Sequence, residues 1–238
     1  MRLLLLGYGK MGQMIDQMAT SKGHDIVARI NIDNRAELET LDTSSIDAAI
    51  DFSQPQAAVN NIKWCIDHQI PVAVGTTGWL DQKAVLDAYC TEKQGTYLYS
   101  SNFSIGVNIF FKVNSFLAGL MDGQKDYDVS MNEIHHTQKL DAPSGTAITL
   151  AEGIIENLSR KDSWVNDSKA RENELLISSE RIDPTPGTHA ISYNSPIDSI
   201  DIRHTAHGRE GFASGAIFVA EWIVNQRGVL TMDDFLSF

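Results

Sequence analysis

Leu3-Leu4-Leu5-Leu6-Gly7-Tyr8-Gly9-Lys10-Met11-Gly12 places three glycines, spaced G-x-G-x-x-G, directly after four leucines. An uninterrupted apolar run of this length is typical of a strand buried on both faces of a parallel sheet. From Met11 to Met18, apolar residues recur at helical spacing. A strand, a glycine-rich turn and a helix in this order predict a dinucleotide-binding unit, with the pyrophosphate at the helix N-terminus.

The alternation of strand and helix continues to Tyr99. Further strands are predicted at 26–32, 48–52, 71–74 and 96–99, and helices from 55 and at 80–92. Strand, helix and strand repeated in this way indicate a parallel sheet covered on both faces.

The adenosine end of the dinucleotide site depends on a polar residue about twenty positions after the last glycine. Asn31 and Asp33 both stand near that position, and the spacing does not choose between them. An acidic residue repels a 2′-phosphate, whereas asparagine permits one. No arginine directly follows Asn31, which favours NADH, but Lys10 could bind a 2′-phosphate. NADH and NADPH therefore both stay candidate cofactors.

Two more loops follow predicted strands, at the edge where open α/β sheets bind ligands. They are Gly75-Thr76-Thr77-Gly78 and Ser100-Ser101-Asn102-Phe103-Ser104. Small and hydroxyl-bearing residues in these places suit contact with the nicotinamide and its ribose. The alternative interpretation is turn chemistry alone.

The second half of the chain has a different pattern. Helices are predicted at 105–120, 146–158 and 212–225, and strands at 127–135, 174–181, 188–193 and 197–205, with an irregular segment at 160–172. The sequence thus predicts an α/β fold: a Rossmann-type parallel-sheet domain plus an α+β domain with a mainly antiparallel sheet.

Composition excludes several classes of function. The chain has 238 residues and a formal net charge of −12, which argues against nucleic acid as a partner. No apolar run approaches the roughly 20 residues of a membrane span, and no signal-peptide cleavage site follows the first strand. Cys65 and Cys90 are interpreted as reduced, packed thiols of a cytoplasmic protein.

A charged cluster lies in Glu133-Ile-His-His-Thr-Gln-Lys-Leu-Asp-Ala-Pro-Ser-Gly-Thr-Ala147. Ser144, Gly145 and Thr146 open a predicted helix, whose free N–H groups suit a carboxylate. Lys139 adds a positive charge, and a histidine can transfer a proton near neutral pH. Adjacent His135 and His136 point to opposite faces of a strand, so no metal site is predicted. These parts predict a reductase acting on a small, unsaturated carboxylate.

The same motif, Glu133-x-His135-His136-x-x-Lys139-x-Asp141-x-Pro143-Ser144-Gly145-Thr146-Ala147, resembles the signature of the dihydrodipicolinate reductase family. The resemblance extends to three more segments: Gly75–Gly78, Ser101–Asn108 and His204–Ala216. It implies NADH- or NADPH-dependent reduction of 4-hydroxy-tetrahydrodipicolinate, a cyclic imine dicarboxylate, in lysine and diaminopimelate biosynthesis.

The resemblance also implies roles for residues. His135 is the proton donor, Lys139 its catalytic companion, and His136, Lys139, Gly145 and Thr146 hold the substrate carboxylates, with Ser144 added from the helix-start argument above. The cofactor contacts are expected at Gly7, Tyr8, Gly9, Lys10, Met11, Gly12, Asn31, Asp33, Gly75, Thr76, Thr77, Ser100, Ser101, Asn102 and Phe103.

Domain organisation follows from the resemblance as well. Residues 1–104, completed by 213–238, are expected to form the dinucleotide-binding domain. Residues 105–212 are expected to form a substrate-binding and oligomerisation domain, which joins subunits into a homotetramer through its sheet.

The chain departs from the family pattern in the nucleotide-binding part. The glycine loop is one residue shorter and carries Lys10, and the acidic residue that is usual after the second strand is either replaced by Asn31 or displaced to Asp33. Two rival functions are a non-catalytic NAD(H)-sensing protein and another two-domain dehydrogenase of amino or sugar acids. The first gives no reason for the His-His-Lys cluster, and a substrate panel separates the second.

Overall fold

Residues 1–166 and 169–238 are described by a computed structural model of the chain. They divide into two units, Met1–Ser104 with Glu210–Phe238, and Ile105–Arg209.

The strands of the described chain are β1 (Arg2–Leu6), β2 (Asp25–Ile30), β3 (Ala48–Asp51), β4 (Val72–Val74), β5 (Thr96–Tyr99), β6 (Asp128–His135), β7 (Ser163–Val165), β8 (Glu174–Arg181), β9 (Gly187–Asn194), β10 (Ser199–Ala206) and β11 (Gly228–Leu230). The helices are α1 (Lys10–Ser21), α2 (Pro55–Asp67), α3 (Lys83–Glu92), α4 (Ile105–Met121), α5 (Gly145–Asn157), α6 (Glu210–Ile223) and α7 (Met232–Leu236). Short 3₁₀ turns cover Ile32–Thr40, Thr43–Ser45 and Leu80–Gln82.

The first unit contains a six-stranded sheet in the order β11-β5-β4-β3-β1-β2, with every pair parallel. Side chains alternate across β1, so Leu3 and Leu5 enter one apolar layer and Leu4 and Leu6 the other. Helices α1 and α6 pack on the first face, and α2 and α3 on the second. The predicted Rossmann-type sheet is therefore confirmed.

Two details of this unit differ from the sequence-based expectation. The second strand was predicted to reach Ile32 but ends at Ile30, because a 3₁₀ turn begins at Ile32. Strand β11 and helix α7 were not predicted, since three and five residues are too few to show a period.

The second unit contains a five-stranded sheet in the order β10-β9-β6-β8-β7. Its β10–β9 and β9–β6 pairs are antiparallel, while β6–β8 and β8–β7 are parallel, so the sheet is mixed. Helices α4 and α5 pack against one face, where Val129, Met131 and Ile191 are buried.

One prediction for this unit was wrong. Strand β7 lies inside the segment 160–172 that was predicted to be irregular. Its three residues pair with the start of β8, and the nearby Lys161 ammonium, only 5% exposed, donates to the carbonyls of Glu172 and Glu174. Asp167 and Ser168 of that segment lie outside the described residues.

Both cysteines are buried and free. Burial raises the pKa of Cys65 and, to about 11, that of Cys90. In the described part of the chain, no helix has the length and apolar character to span a bilayer.

Candidate active site and cofactor-binding cleft

The glycine loop between β1 and α1 has the geometry of a phosphate cradle. Gly7 has φ +93°, and a Cβ there would lie 2.2 Å from the carbonyl oxygen of Phe52. A Cβ at Gly12 would lie 2.2 Å from the carbonyl oxygen of Gly7. In contrast, nothing lies within 4 Å of a Cβ placed at Gly9. The first and third glycines therefore permit tight packing, and the second leaves the backbone open to a ligand.

Two clefts flank this loop within the first unit. The wider one, of about 700 Å³, is lined by the predicted contacts Gly7, Tyr8, Gly9 and Asn31. The narrower one, of about 490 Å³, is lined by the predicted contacts Gly9, Lys10, Met11, Gly75, Thr76 and Thr77. The two clefts share Gly9, Phe52, Ser53 and Gln54, so a dinucleotide can lie across the loop, with its pyrophosphate at the start of α1. The chain therefore fits such a cofactor.

Other predicted contacts lie outside these two clefts. Asp33 is exposed in the 3₁₀ turn, whereas Asn31 lines the wider cleft, which favours Asn31 as the ribose contact. The segment from Ser100 to Phe103 folds on itself, with the Ser100 hydroxyl donating to the carbonyl of Asn102. Phe103 is 1% exposed and belongs to the core of the unit.

Arg35 is a residue of the wider cleft that was not predicted from the sequence. Its Nη1 is buried and has no hydrogen-bond partner among the described residues. A sequence pattern looks for an arginine directly after Asn31. Here the 3₁₀ turn that follows Asn31 brings Arg35, four residues later, to the cleft. Arg35 lines the cleft near Asn31, where a guanidinium is suited to bind a phosphate.

The candidate proton-transfer site lies in the second unit, where the side chains on the buried face of β6 change from apolar to titratable. Val129 and Met131 are apolar, but the next two residues on this face are Glu133 and His135, which are 0% and 7% exposed. His189 of β9 pairs in register with Glu133 and is 5% exposed. The rings of His135 and His189 meet edge to face, with centroids 5.1 Å apart. Three titratable groups are thus buried together.

Glu133 is the centre of this cluster. Its carboxylate accepts hydrogen bonds from the Ser144 amide at 3.1 Å and the Ser179 hydroxyl at 2.8 Å. Arg181 Nη2 lies 3.3 Å from Oε1, and His135 Nδ1 lies 3.3 Å from Oε2. Burial opposes ionisation of Glu133, but contacts with His135, Ser144 and Ser179 outweigh it and hold its pKa well below the ordinary value. Glu133 is therefore a carboxylate at neutral pH.

The proton donor predicted from the sequence is oriented by this carboxylate. His135 Nδ1 faces Glu133 but is misaligned, and it has no hydrogen bond among the described residues. Nε2 points towards Gly187, where a Cβ would lie only 3.1 Å away. Since Nδ1 faces Glu133, Nε2 is the nitrogen left to meet a ligand.

The start of α5 is the candidate anion cradle. Ser144 is its N-cap and is buried, with its hydroxyl accepting from the Ala147 amide at 3.2 Å and lying 3.2 Å from His189 Nε2. Gly145 is exposed and Thr146 is half-buried. Their N–H groups lie in the first turn, which the helix leaves without internal partners. These two amides are therefore the ones available to a carboxylate.

The loop that carries His136 and Lys139 is held by β8 and the turn after it. Arg181 donates to the carbonyls of Lys139 and Asp141, and the hydroxyl of Thr137 donates to Asp183 at 2.6 Å. The Lys139 ammonium lies 2.8 Å from both carboxylate oxygens of Asp141. Its side chain is 23% exposed, and its charge is paired with this carboxylate. His136 is half-buried.

Glu133, His135 and His189 have potential ligand atoms within 4.8 Å of one another, close enough for a metal ion. Glu133 already accepts from Ser144 and Ser179, and Arg181 places a positive charge beside it. This arrangement stabilises a carboxylate through protein donors, so we interpret the cluster as a charge network.

Sequence reasoning missed Arg181 and His189 as members of this site. A signal for His189 existed, because a histidine in an apolar strand pattern at 188–193 is unusual, but nothing in the sequence paired it with Glu133. Arg181 ends a strand whose partner could not be assigned.

The burial of His189 should make the protein less stable in acid. Burial, followed by the charge of His135, lowers its pKa from 6.5 to about 4. Between pH 6.5 and 4 the unfolded chain binds a proton that the folded chain does not, so stability falls as pH falls. From pH 7 to 5 this group alone should remove about 2 kcal/mol of unfolding free energy.

Urea unfolding of the wild type and of His189→Gln at both pH values measures this change, and the variant should lose less unfolding free energy than the wild type. The exposed His207→Gln variant should behave like the wild type; an unaltered pH dependence in His189→Gln would contradict the assignment.

A nucleotide-binding parallel sheet and a second unit with a buried histidine–carboxylate cluster define a two-domain NAD(P)-dependent reductase. Residues 1–103 match the family described as dihydrodipicolinate reductase, N-terminus, and residues 106–236 match its C-terminus. The chain belongs to the dihydrodipicolinate reductase family.

Its relatives agree with this assignment. The chain is 48% identical over 237 residues to the 4-hydroxy-tetrahydrodipicolinate reductase of Christiangramia forsetii, covering 100% of this chain and 98% of the relative. It is 37% identical to that of Methanococcoides burtonii, covering 87% and 80%. A solved structure, dipicolinate-bound dihydrodipicolinate reductase from Paenisporosarcina sp. TG-14, shares the fold with a TM-score of 0.78 at 24% identity, covering 97% of each chain.

Proposed function

We propose that the protein reduces 4-hydroxy-tetrahydrodipicolinate to tetrahydrodipicolinate with NADH or NADPH, in lysine and diaminopimelate biosynthesis. The observation that carries this proposal is the buried Glu133–His135 pair beside the anion cradle of α5. In the overall reaction the substrate gains a hydride and a proton and loses its hydroxyl as water.

The cofactor, when bound in the first unit, supplies the hydride. His135 gives a proton from Nε2 to the carbon or nitrogen next to the reduced bond, and the Glu133 carboxylate, 3.3 Å from Nδ1, stabilises the charged ring. Lys139, His136 and the amides of Gly145 and Thr146 bind the substrate carboxylates, which are charged acceptors for such donors. Ser144 caps the helix that carries these amides. Its contacts with Glu133 and His189 hold the start of that helix in place.

The assembly and the location of the enzyme belong to the same proposal. We expect a homotetramer joined through the sheet of the second unit, because α4 and α5 pack on one face of that sheet and the side chains on the opposite face of β6 are only partly buried among the described residues. A cytoplasmic location suits an enzyme with two free, buried thiols.

The rival functions are less well supported. A protein that only senses NAD(H) has no use for a buried histidine–carboxylate pair and an anion cradle. Another amino- or sugar-acid dehydrogenase would not be expected at 48% identity, over the whole chain, to a 4-hydroxy-tetrahydrodipicolinate reductase.

A spectrophotometric assay tests the proposal. We expect NADH or NADPH oxidation that depends on the condensation product of pyruvate and aspartate semialdehyde, and no oxidation with a panel of amino and sugar acids. Tight cofactor binding without turnover of that product would contradict the proposal.

Arg35 predicts that NADPH is accepted as well as NADH. If the Arg35 guanidinium binds a 2′-phosphate in the wider cleft, Arg35→Ala should raise the KM for NADPH by about 10- to 100-fold, the usual effect of a lost charged hydrogen bond. The KM for NADH should change by less than about threefold, because NADH lacks that phosphate. Steady-state kinetics with both cofactors measure this, each being the control for the other. An equal rise in both KM values would show that Arg35 supports the cleft without contacting the phosphate.

A further inference from the structure

Asp51 is the last residue of β3, and its carboxylate is 0% exposed at the end of the parallel sheet. Burial raises the pKa of this group, although hydrogen bonds from Thr76, Asn61 and Ser53 oppose the rise. A buried carboxylate is often no more stabilising than an apolar side chain of similar volume. Its presence here is better explained by what it holds in place.

The carboxylate of Asp51 joins two loops that line the narrower cleft. Its Oδ1 accepts from the amide of Ser53 at 3.0 Å, from the hydroxyl of Ser53 at 2.8 Å and from the hydroxyl of Thr76. The Thr76 oxygen also accepts from the Ser53 amide at 2.8 Å, and Oδ2 accepts from Asn61 Nδ2 at 2.8 Å. Ser53 follows β3 and Thr76 follows β4, so one side chain fixes the distance between both loops.

The network also determines which groups face the cleft. Thr76 is 5% exposed and its hydroxyl is used by Asp51, whereas Thr77 is exposed. Phe52 packs its ring where a side chain at Gly75 would lie, because a Cβ there would come within 2.3 Å of the ring. Movement of either loop would separate Phe52 from Gly75 and change the wall of the cleft.

We propose that Asp51 is a positioning residue for the dinucleotide, holding the Ser53 and Thr76 loops at the spacing that the cofactor requires. The inference rests on the proposed function, since it presupposes a dinucleotide in the cleft. In this arrangement Thr76 supports the loop through Asp51, and Gly75 and Thr77 are the residues of the loop that contact the dinucleotide.

Asp51→Asn is the first test. The Asn61 Oδ1 has no hydrogen-bond partner among the described residues and can turn to accept from the new amide, at the cost of the 3.2 Å contact between Asn61 Nδ2 and Ser53 Oγ. The variant should therefore fold, but a neutral carbonyl is a weaker acceptor for three donors than a carboxylate. We expect the Kd for NADH, from fluorescence titration, to rise about tenfold. The kcat at saturating cofactor and substrate should stay within about twofold.

Thr76→Val is the second test, because it removes the hydroxyl and keeps the shape. Its Kd for NADH should rise to a similar extent. The Kd of the double variant should not exceed the higher Kd of the two single variants, since both substitutions break one network. Asp87→Asn is the control: Asp87 binds Lys83 and Tyr97 in the same unit but lines neither cleft, so its Kd should match the wild type.

The outcomes separate this inference from the proposed function. A wild-type Kd in folded Asp51→Asn would overturn the positioning role, as would a double variant whose effect is the product of the single effects. A wild-type protein that binds neither NADH nor NADPH would overturn the proposed function and, with it, this inference.

Discussion

Replacing His135 with glutamine should reduce kcat by about 10²- to 10⁴-fold, the usual contribution of a positioned proton donor. Glutamine keeps the size and polarity of the side chain but cannot release a proton near neutral pH. Because His135 belongs to the second unit and the cofactor clefts to the first, the Kd for NADH should stay unchanged. Steady-state turnover and fluorescence titration measure the two quantities.

A matched control distinguishes a loss of chemistry from a loss of folding. His68→Gln, which changes an exposed histidine of the first unit, should keep wild-type turnover. Circular dichroism should show the same fold in both variants, since glutamine is polar and close to histidine in size, and its side-chain amide can donate to Glu133. Wild-type turnover in a folded His135→Gln protein would remove His135 from the mechanism.

The sequence predicted most of the first unit because its signals are local. Leu3 to Gly12 contains a complete strand, turn and helix start, and each later strand of the sheet is a short apolar run. What the sequence could not show was direction in the second sheet. Alternation along β6 and β8 is the same for parallel and antiparallel pairing, so their parallel register was not predicted.

The candidate site was predicted in the same uneven way. His135, Lys139, Ser144 and Thr146 lie within one motif, so a linear pattern identifies them. His189 enters through an antiparallel register, Glu133 opposite His189, that no local pattern encodes. Arg35 was missed for a related reason, because a 3₁₀ turn changed which position after Asn31 reaches the cleft.

The residues missed around β6 share a physical origin in the burial of Glu133. A buried carboxylate must find several donors, and the chain supplies them from distant elements: Ser144 from α5, Ser179 and Arg181 from β8. The same carboxylate orients His135 and anchors the start of the anion cradle. The proton donor and the carboxylate site are therefore coupled through one side chain.

Lys139→Ala should lower kcat/KM by about 10²- to 10³-fold, similar to the loss of one donor that stabilises developing negative charge. The Lys139 ammonium is one of the positive charges at the surface of the predicted substrate site, so both KM and kcat should worsen. Lys125→Ala, which changes an exposed lysine of the same unit, should match the wild type.

Asp141→Asn sharpens this test, because Asp141 holds the Lys139 ammonium at 2.8 Å and its own pKa is lowered by that contact. A substrate carboxylate competes with Asp141 for the Lys139 ammonium. Removing the acidic charge of Asp141 should therefore lower the KM for the dicarboxylate. The effect should disappear in the Lys139→Ala background, since the two side chains act as a pair. An unchanged KM in Lys139→Ala would instead show that this lysine does not contact the substrate carboxylates.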